Sequence, residues 1–202
     1  MQRIVFDFDV VSPYAWLAFE RLPQALEGIS QHVEYRPLLF AGLLKAWGTR
    51  APVDVAPRKA WIFRQCAWLA QRQGSTFAPP ALHPFNPLAL LRLLVASAPA
   101  GGQPNRRAVE LVMRHVWARD GADPNDADAL RTLAAAVAPL RDPNADAVKA
   151  ELRERTEDAV RAGVFGVPSF RLDDGQAFWG QDSLDMVVDA LRTQAARGGS
   201  GA

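Results

Sequence analysis

The stretch that most constrains this chain is FDFDVVSPYAWLA, residues 6–18. From Ile4 to Val11 apolar and acidic residues alternate and then give way to a wholly apolar run, which predicts a strand. Ser12 is a good helix N-cap. Pro13 suits the first helical position, because the N–H it lacks has no partner inside a helix. A helix with Tyr14, Leu17, Ala18 and Leu22 on one face is expected to run to about Gly28. HVEYRPLL, residues 32–39, reads as a second strand. Strand, helix and strand at that spacing form a βαβ unit, with parallel pairing and a right-handed crossover.

From Ala41 to about Ala162 the periodicity is helical almost throughout. Pro57 opens a helix carrying Trp61, Ile62, Cys66 and Leu69 that closes at Gly74. Pro79-Pro80 and His83-Pro84 break the chain, and Asn86-Pro87 caps a helix to Ser97. Val109, Val112, Met113, Val116 and Trp117 mark another helix, and Asp126–Val137 and Asn144–Ala162 two more. The strand pattern then returns. VPSFRL, residues 167–172, and Gln176 to Trp179 flank Asp173-Asp174-Gly175, a hairpin signal. Asp182 is expected to cap a last helix with Leu184, Val187, Val188 and Leu191 inward, and the small-residue tail Ala195 to Ala202 to fray. The expected class is α/β, in the order βαβ, helices, ββα. One sheet domain is split between residues 1–40 and 163–202, with an all-helical domain inserted at 41–162.

The chain has 202 residues, 49% apolar and 22% charged, with a formal net charge of +1. That balance implies no broad attraction to nucleic acid or to a membrane surface. No run of about 18 uncharged apolar residues predicts a membrane span, no leader pattern opens the chain, and the single cysteine, Cys66, forbids an intrachain disulfide. A reducing cytoplasm is the expected setting. The acidic run Asp120–Asp128 lacks the spacing and closing glutamate of a calcium loop, and reads as a loop and helix cap; no metal site is expected.

A helix N-terminus favours an anion, and a thiolate there is stabilised. The usual dithiol device at a strand-to-helix turn is Cys-x-x-Cys. Here the four positions are Ser12-Pro13-Tyr14-Ala15, which excludes disulfide exchange at this turn. Ser12 is either a plain N-cap or a hydroxyl that donates to a sulfur carried by a ligand. A free thiol has a pKa of about 8.5, the helix end contributes about 0.3–1 kcal/mol, and a hydrogen bond to an anion about 1.5–3 kcal/mol. Together these lower a bound thiol by about one to two units. A nucleophilic serine needs an adjacent base, and His32, His83 and His115 show no readable relation to Ser12. The second signal is GVFGVPSF, residues 163–170. It reads either as a simple turn or as a cis Val167–Pro168 bond that opens the Val167 backbone to a peptide-like ligand.

Taken with FDFDVVSPYAWLAFERL at the start, LLFAGLLKAWGTRAPVDVAPRK after the second strand, VMRHVWARD in the helical part and FWGQDSLD near the end, these motifs carry a resemblance. The chain resembles the DsbA-like thioredoxin-fold group of kappa-class glutathione transferases and 2-hydroxychromene-2-carboxylate isomerases, over nearly its whole length. The resemblance implies a thioredoxin-like sheet domain, glutathione as cofactor, a small aromatic substrate and a homodimer. Ser12 would stabilise the glutathione thiolate. Lys59, of Pro-Arg-Lys, would meet a carboxylate of the tripeptide, and Val167 would pair with the cysteinyl backbone. Gln181 and Asp182 would bind the γ-glutamyl end. Thr49 stands where the family usually has asparagine, a hydroxyl replacing an amide donor, and Cys66 stands where it often has an acid. Trp179 is expected in the core or a pocket wall. Among Trp47, Trp61, Trp68 and Trp117, pocket wall and core packing are both open. The implied reaction is glutathione-dependent cis–trans isomerisation of 2-hydroxychromene-2-carboxylate to trans-o-hydroxybenzylidenepyruvate in aromatic degradation. A kappa-like transferase and a non-catalytic thiol-binding protein are the alternatives.

Overall fold

The computed structural model describes residues 1–199, with side chains to Ala196. Strand β1 (Gln2–Phe8), helix α1 (Pro13–Ala25) and strand β2 (Gln31–Pro37) come first. Six helices follow: α2 (Phe40–Trp47), α3 (Ala56–Gln73), α4 (Leu88–Ala96), α5 (Arg106–Trp117), α6 (Ala127–Val137) and α7 (Asp146–Arg161). Strands β3 (Ser169–Leu172) and β4 (Ala177–Trp179) and helix α8 (Leu184–Gly199) complete the order. The sheet order is β2-β1-β3-β4. β1 pairs with β2 in parallel and with β3 antiparallel, so Phe6 lies between Tyr35 and Phe170. β3 and β4 form the hairpin, closed by Gly175 at φ 86°. Both ends of the chain therefore contribute to one sheet. α/β is the observed class.

One core spans the sheet and the helical segment between β2 and β3. It contains Phe6, Phe8, Trp16, Phe19, Leu90, Leu94, Val112, Met113, Trp117 and Phe170, all fully buried. Each large side chain removed from water in this way contributes about 1.5–3 kcal/mol. Phe6 stacks on Phe8 at 5.2 Å and on Phe170 at 5.3 Å. The acidic member of the β1 alternation, Asp7, is buried on the other face and is bonded by Arg171 across the sheet (Oδ2 to Nε, 2.5 Å).

Helix α1 ends at Ala25, short of Gly28, and α7 begins at Asp146 rather than Asn144. Three further differences from the sequence reading have a clear physical cause. β1 stops at Phe8 rather than Val11, because the Asp9 carboxylate turns the chain. It accepts the Val11 N–H (3.0 Å) and the Phe40 N–H (2.8 Å). β2 ends at Pro37, which has no N–H to donate, although Leu38 still donates to the Phe8 carbonyl (2.9 Å). Asp182 does not cap α8. It lies in a single 3₁₀ turn, Gln181–Ser183, where Ser183 Oγ donates to the Gly180 carbonyl instead. Of the tail expected to fray, residues 195–199 continue α8 and residues 200–202 lie outside the described residues. In the acidic run, Asp126 caps α6 through the Ala129 N–H (2.8 Å), and Asp123 accepts from the Asn125 N–H.

Candidate active site

The turn between β1 and α1 is fixed from every side. Its carboxylate, Asp9, bridges to the first residue of α2 as described. The Val10 carbonyl accepts the indole N–H of Trp117 (2.9 Å), and the Val11 carbonyl accepts from His83 Nε2 (2.8 Å). A carbonyl can only accept, so Nε2 of His83 carries the proton and Nδ1 is bare. Nδ1 is buried and has no partner. Burial lowers the His83 pKa, and nearby Lys59 adds to that, so the ring is neutral. Three polar groups of the helical segment thus hold three consecutive residues, Asp9 to Val11, at the helix entrance just before Ser12.

Ser12 does two things at once. Its Oγ accepts the Ala15 N–H (3.2 Å) as the α1 N-cap, and its hydroxyl donates to the Val167 carbonyl (3.4 Å). The Val167–Pro168 bond is cis, which decides between the two readings of the motif. Among the described residues the N–H groups of Tyr14 and Val167 donate to nothing. Two free backbone donors, a hydroxyl and the positive end of α1 therefore converge beside Ser12.

These groups open into a cavity of about 430 Å³. Ser12, Pro13 and Tyr14 form its base, with Phe165, Gly166, Val167 and Trp179 from the sheet side. Phe40, Leu44 and Trp47 of α2, then Thr49 and Arg50, form the facing wall, and Arg58, Ile62, His83 and Pro84 close it. Trp47 is anchored by its indole N–H on the Val164 carbonyl (2.9 Å). Trp179 packs on Phe165 with ring centroids 5.1 Å apart, and its ring lies so close over Gly166 that a Cβ there has no room. The walls are mainly apolar, with two guanidiniums, Arg50 and Arg58, for which no anionic partner exists among the described residues.

Of the residues chosen from sequence, Ser12, Thr49 and Val167 meet in this cavity. Lys59, Gln181 and Asp182 are not among its walls. The Lys59 ammonium donates to the carbonyl of His83, the residue that grips Val11, and the His83–Pro84 bond there is also cis. The Gln181–Ser183 turn packs against α1, with the Asp182 charge near enough to add to the rise of the Tyr14 pKa. That pKa is pushed up to about 12, burial being the main cause. The phenol donates to Gln65 Oε1 (2.5 Å), so Tyr14 ties α1 to α3 as a neutral group. Cys66 is fully buried and its thiol is pushed up to about 12 by burial, which leaves it unreactive. Of the four tryptophans, only Trp47 lines the cavity. Trp61 and Trp68 face solvent on α3, and Trp117 is core.

Sequence reading missed His83, Asp9, Arg50 and Arg58. Arg58 precedes Lys59 in the same motif, and helical periodicity alone does not say which of two neighbours faces a cavity. His83 sits 71 positions after Ser12 in an irregular segment, with no periodic signal to relate the two.

The DSBA-like thioredoxin domain model matches residues 3–192. A 2-hydroxychromene-2-carboxylate isomerase of Sphingobium xenophagum is 30% identical over 198 residues, covering 94% of this chain and 98% of the relative. Glutathione S-transferase kappa 2 of Caenorhabditis elegans is 26% identical over 208 residues, covering 93% and 91%. A solved structure of a 2-hydroxychromene-2-carboxylate isomerase superposes with a TM-score of 0.81 at 22% identity, covering 99% of both chains.

Proposed function

The chain belongs to the DSBA-like thioredoxin domain family, and from that premise we propose that it is a glutathione-dependent isomerase acting on a small aromatic carboxylate with an activated double bond. The reading is supported by its likeness to the Sphingobium isomerase and the kappa-class transferase. The observation that carries it is the convergence of the Ser12 hydroxyl and the free Tyr14 and Val167 N–H groups on one apolar cavity, while the only thiol of the chain is buried and unreactive. The sulfur must therefore come with a ligand.

The residues present fit the tripeptide. The free N–H of Val167 matches a peptide carbonyl, and Arg58 and Arg50 offer cations to its carboxylates. Glutathione, when bound, would supply a thiolate able to add reversibly to an activated double bond and so permit its cis–trans exchange. Ser12 would turn its hydroxyl from the Val167 carbonyl to the sulfur, a small cost because the present bond is long at 3.4 Å. The α1 N-terminus and the Tyr14 N–H would hold the negative charge on that sulfur. Phe40, Trp47 and Trp179 would stack against the aromatic ring and exclude water. Gln181 and Asp182, on the turn beside α1, would take the γ-glutamyl end, and Thr49 would add a hydroxyl donor. Lys59 would act at one remove, through the His83 loop.

The proposed substrate is 2-hydroxychromene-2-carboxylate, interconverted with trans-o-hydroxybenzylidenepyruvate. The test is the change in substrate absorbance with and without glutathione. A rate that rises with glutathione, while free glutathione stays constant, is expected. Steady consumption of glutathione would instead make the protein a transferase, and equal negligible rates would defeat both.

A further inference from the structure

A larger cavity, about 700 Å³, lies across α2 from the candidate active site, between α2, α4 and α7. The two share no wall residue. α2 turns Gly42, Lys45 and Ala46 to this cleft and Phe40, Leu44 and Trp47 to the other. The floor is aliphatic: Leu39, Leu88, Leu152 and Val160. The rim is cationic. Lys45, Arg92, Lys149, Arg153 and Arg161 surround it, with Glu157 the one acid among the lining residues. Lys149 is paired with Asp146 (3.0 Å) and Arg161 with Asp158 (3.4 Å).

The other three have no anion. Among the described residues Lys45, Arg92 and Arg153 make no ion pair, and Nε of Arg92 is shut off from solvent without an acceptor. Two other arginines of the same helical layer show what this chain does when it supplies the partner. Arg155 bonds to Glu151, Gln103 and the Gly102 carbonyl, and Arg141 bonds to Glu151 and to the carbonyls of Val95 and Ala98. Those two each make three hydrogen bonds to groups of this chain, one of them to a carboxylate, whereas Arg92 is half-buried with its donors unspent beside an open apolar cleft.

We infer that this cleft binds a small amphipathic organic anion, an apolar body with one carboxylate or sulfonate. The body fills the aliphatic floor, and the anionic head is received by Arg92 and Arg153, with Lys45 at the edge. The volume matches a compact ligand of drug-like size. The cations ring one cavity instead of forming a track, which suits a single head group rather than a polyanion. This site stands whether or not the other cleft performs the proposed isomerisation.

The test uses the full chain and 8-anilinonaphthalene-1-sulfonate as probe, followed by fluorescence titration at low salt. Wild type, Arg92→Gln/Arg153→Gln and Arg50→Gln/Arg58→Gln are compared, the last reporting on the candidate active site. At least a tenfold loss of affinity is expected for the Arg92/Arg153 variant, and retention of this binding in the Arg50/Arg58 variant. Arg153 is exposed, so Arg153→Glu alone leaves the fold intact and is expected to weaken binding at least threefold. No binding to wild type overturns the inference. So does an Arg92/Arg153 titration that superimposes on wild type, or binding lost only with Arg50 and Arg58.

Discussion

The two sides of the candidate active site are built differently. On the sheet side Ser12 and Val167 are buried and fixed by backbone, with distances set by the α1 cap and the β3 entry. On the helical side Thr49, Arg50 and Arg58 are exposed, and Trp47 is anchored only through its indole N–H. The first side can place charge stabilisation at one atom. The second offers reach, apolar area and positive charge over a range of positions. Preorganised donors act on the rate, whereas exposed cations act on binding. Asp9 and His83 form the seam between the two, since each joins the Ser12 turn to the helical segment.

The largest expected effect is at that seam. Asp9 is fully buried and its pKa is pushed up to about 7, burial outweighing the Phe40 and Val11 N–H bonds that favour the anion. The folded value lies above the unfolded one, so between about pH 4 and pH 7 the folded chain binds more protons than the unfolded. Stability from this group is full below about pH 4 and is lost as pH rises through 7. Across the whole window that amounts to about 4 kcal/mol. Urea unfolding of wild type and Asp9→Asn at a series of pH values isolates the group, because His83 and His115, with lowered pKa values, contribute the opposite slope in both proteins. Parallel stability curves for the two proteins would remove Asp9 as the titrating seam.

On the sheet side, Ser12→Ala deletes a donor worth about 1.5–3 kcal/mol to a bound thiolate. Turnover is expected to fall about ten- to hundredfold with glutathione affinity little changed, and the thiolate absorbance of bound glutathione to titrate about one unit higher. Loss of the cap also lowers stability by about 1 kcal/mol. An unmoved thiolate titration would detach Ser12 from the sulfur. Back at the seam, His83→Phe keeps a ring against Phe63 (5.0 Å) and Trp117 (5.8 Å) but strips the Val11 carbonyl of its donor. We expect about a tenfold loss in kcat with KM nearly constant. A rise in KM alone would place His83 in substrate binding and not in holding the turn.

The contrast also explains what could be read from sequence. The sheet side is local: Ser12-Pro13 and Val167-Pro168 carry their geometry in adjacent residues, through a cap, a fixed φ and a strand start. The β–α–β and ββα patterns have periods that identify the elements, so the fold class was legible. The end of β1 was not, because Asp9 is satisfied by Phe40, 31 residues away. Nor was the helical wall of the cavity. Arg58, His83 and Thr49 come together only through the packing of α2, α3 and an irregular segment, and no spacing rule links residues 12, 58 and 83. Asp182 failed as a cap for a related reason: the Gly180–Ser183 bond tightens the entry into a 3₁₀ turn before α8 begins.

The smallest effect distinguishes two neighbours of the Pro-Arg-Lys motif. Arg58 is exposed at the cavity wall, and Lys59 is occupied by the His83 carbonyl. An exposed cation meeting a ligand carboxylate contributes about 0.5–1 kcal/mol, so Arg58→Gln should raise the glutathione KM about two- to fivefold and leave kcat unchanged. The difference should shrink at high salt, because solvent-exposed charges are screened. Lys59→Gln should show the reverse pattern, a loss in kcat through the loosened His83 loop at nearly constant KM. If Lys59→Gln raises KM in a salt-dependent way while Arg58→Gln has no effect, the carboxylate contact belongs to Lys59. The helical wall must then close further around the ligand than the free protein shows.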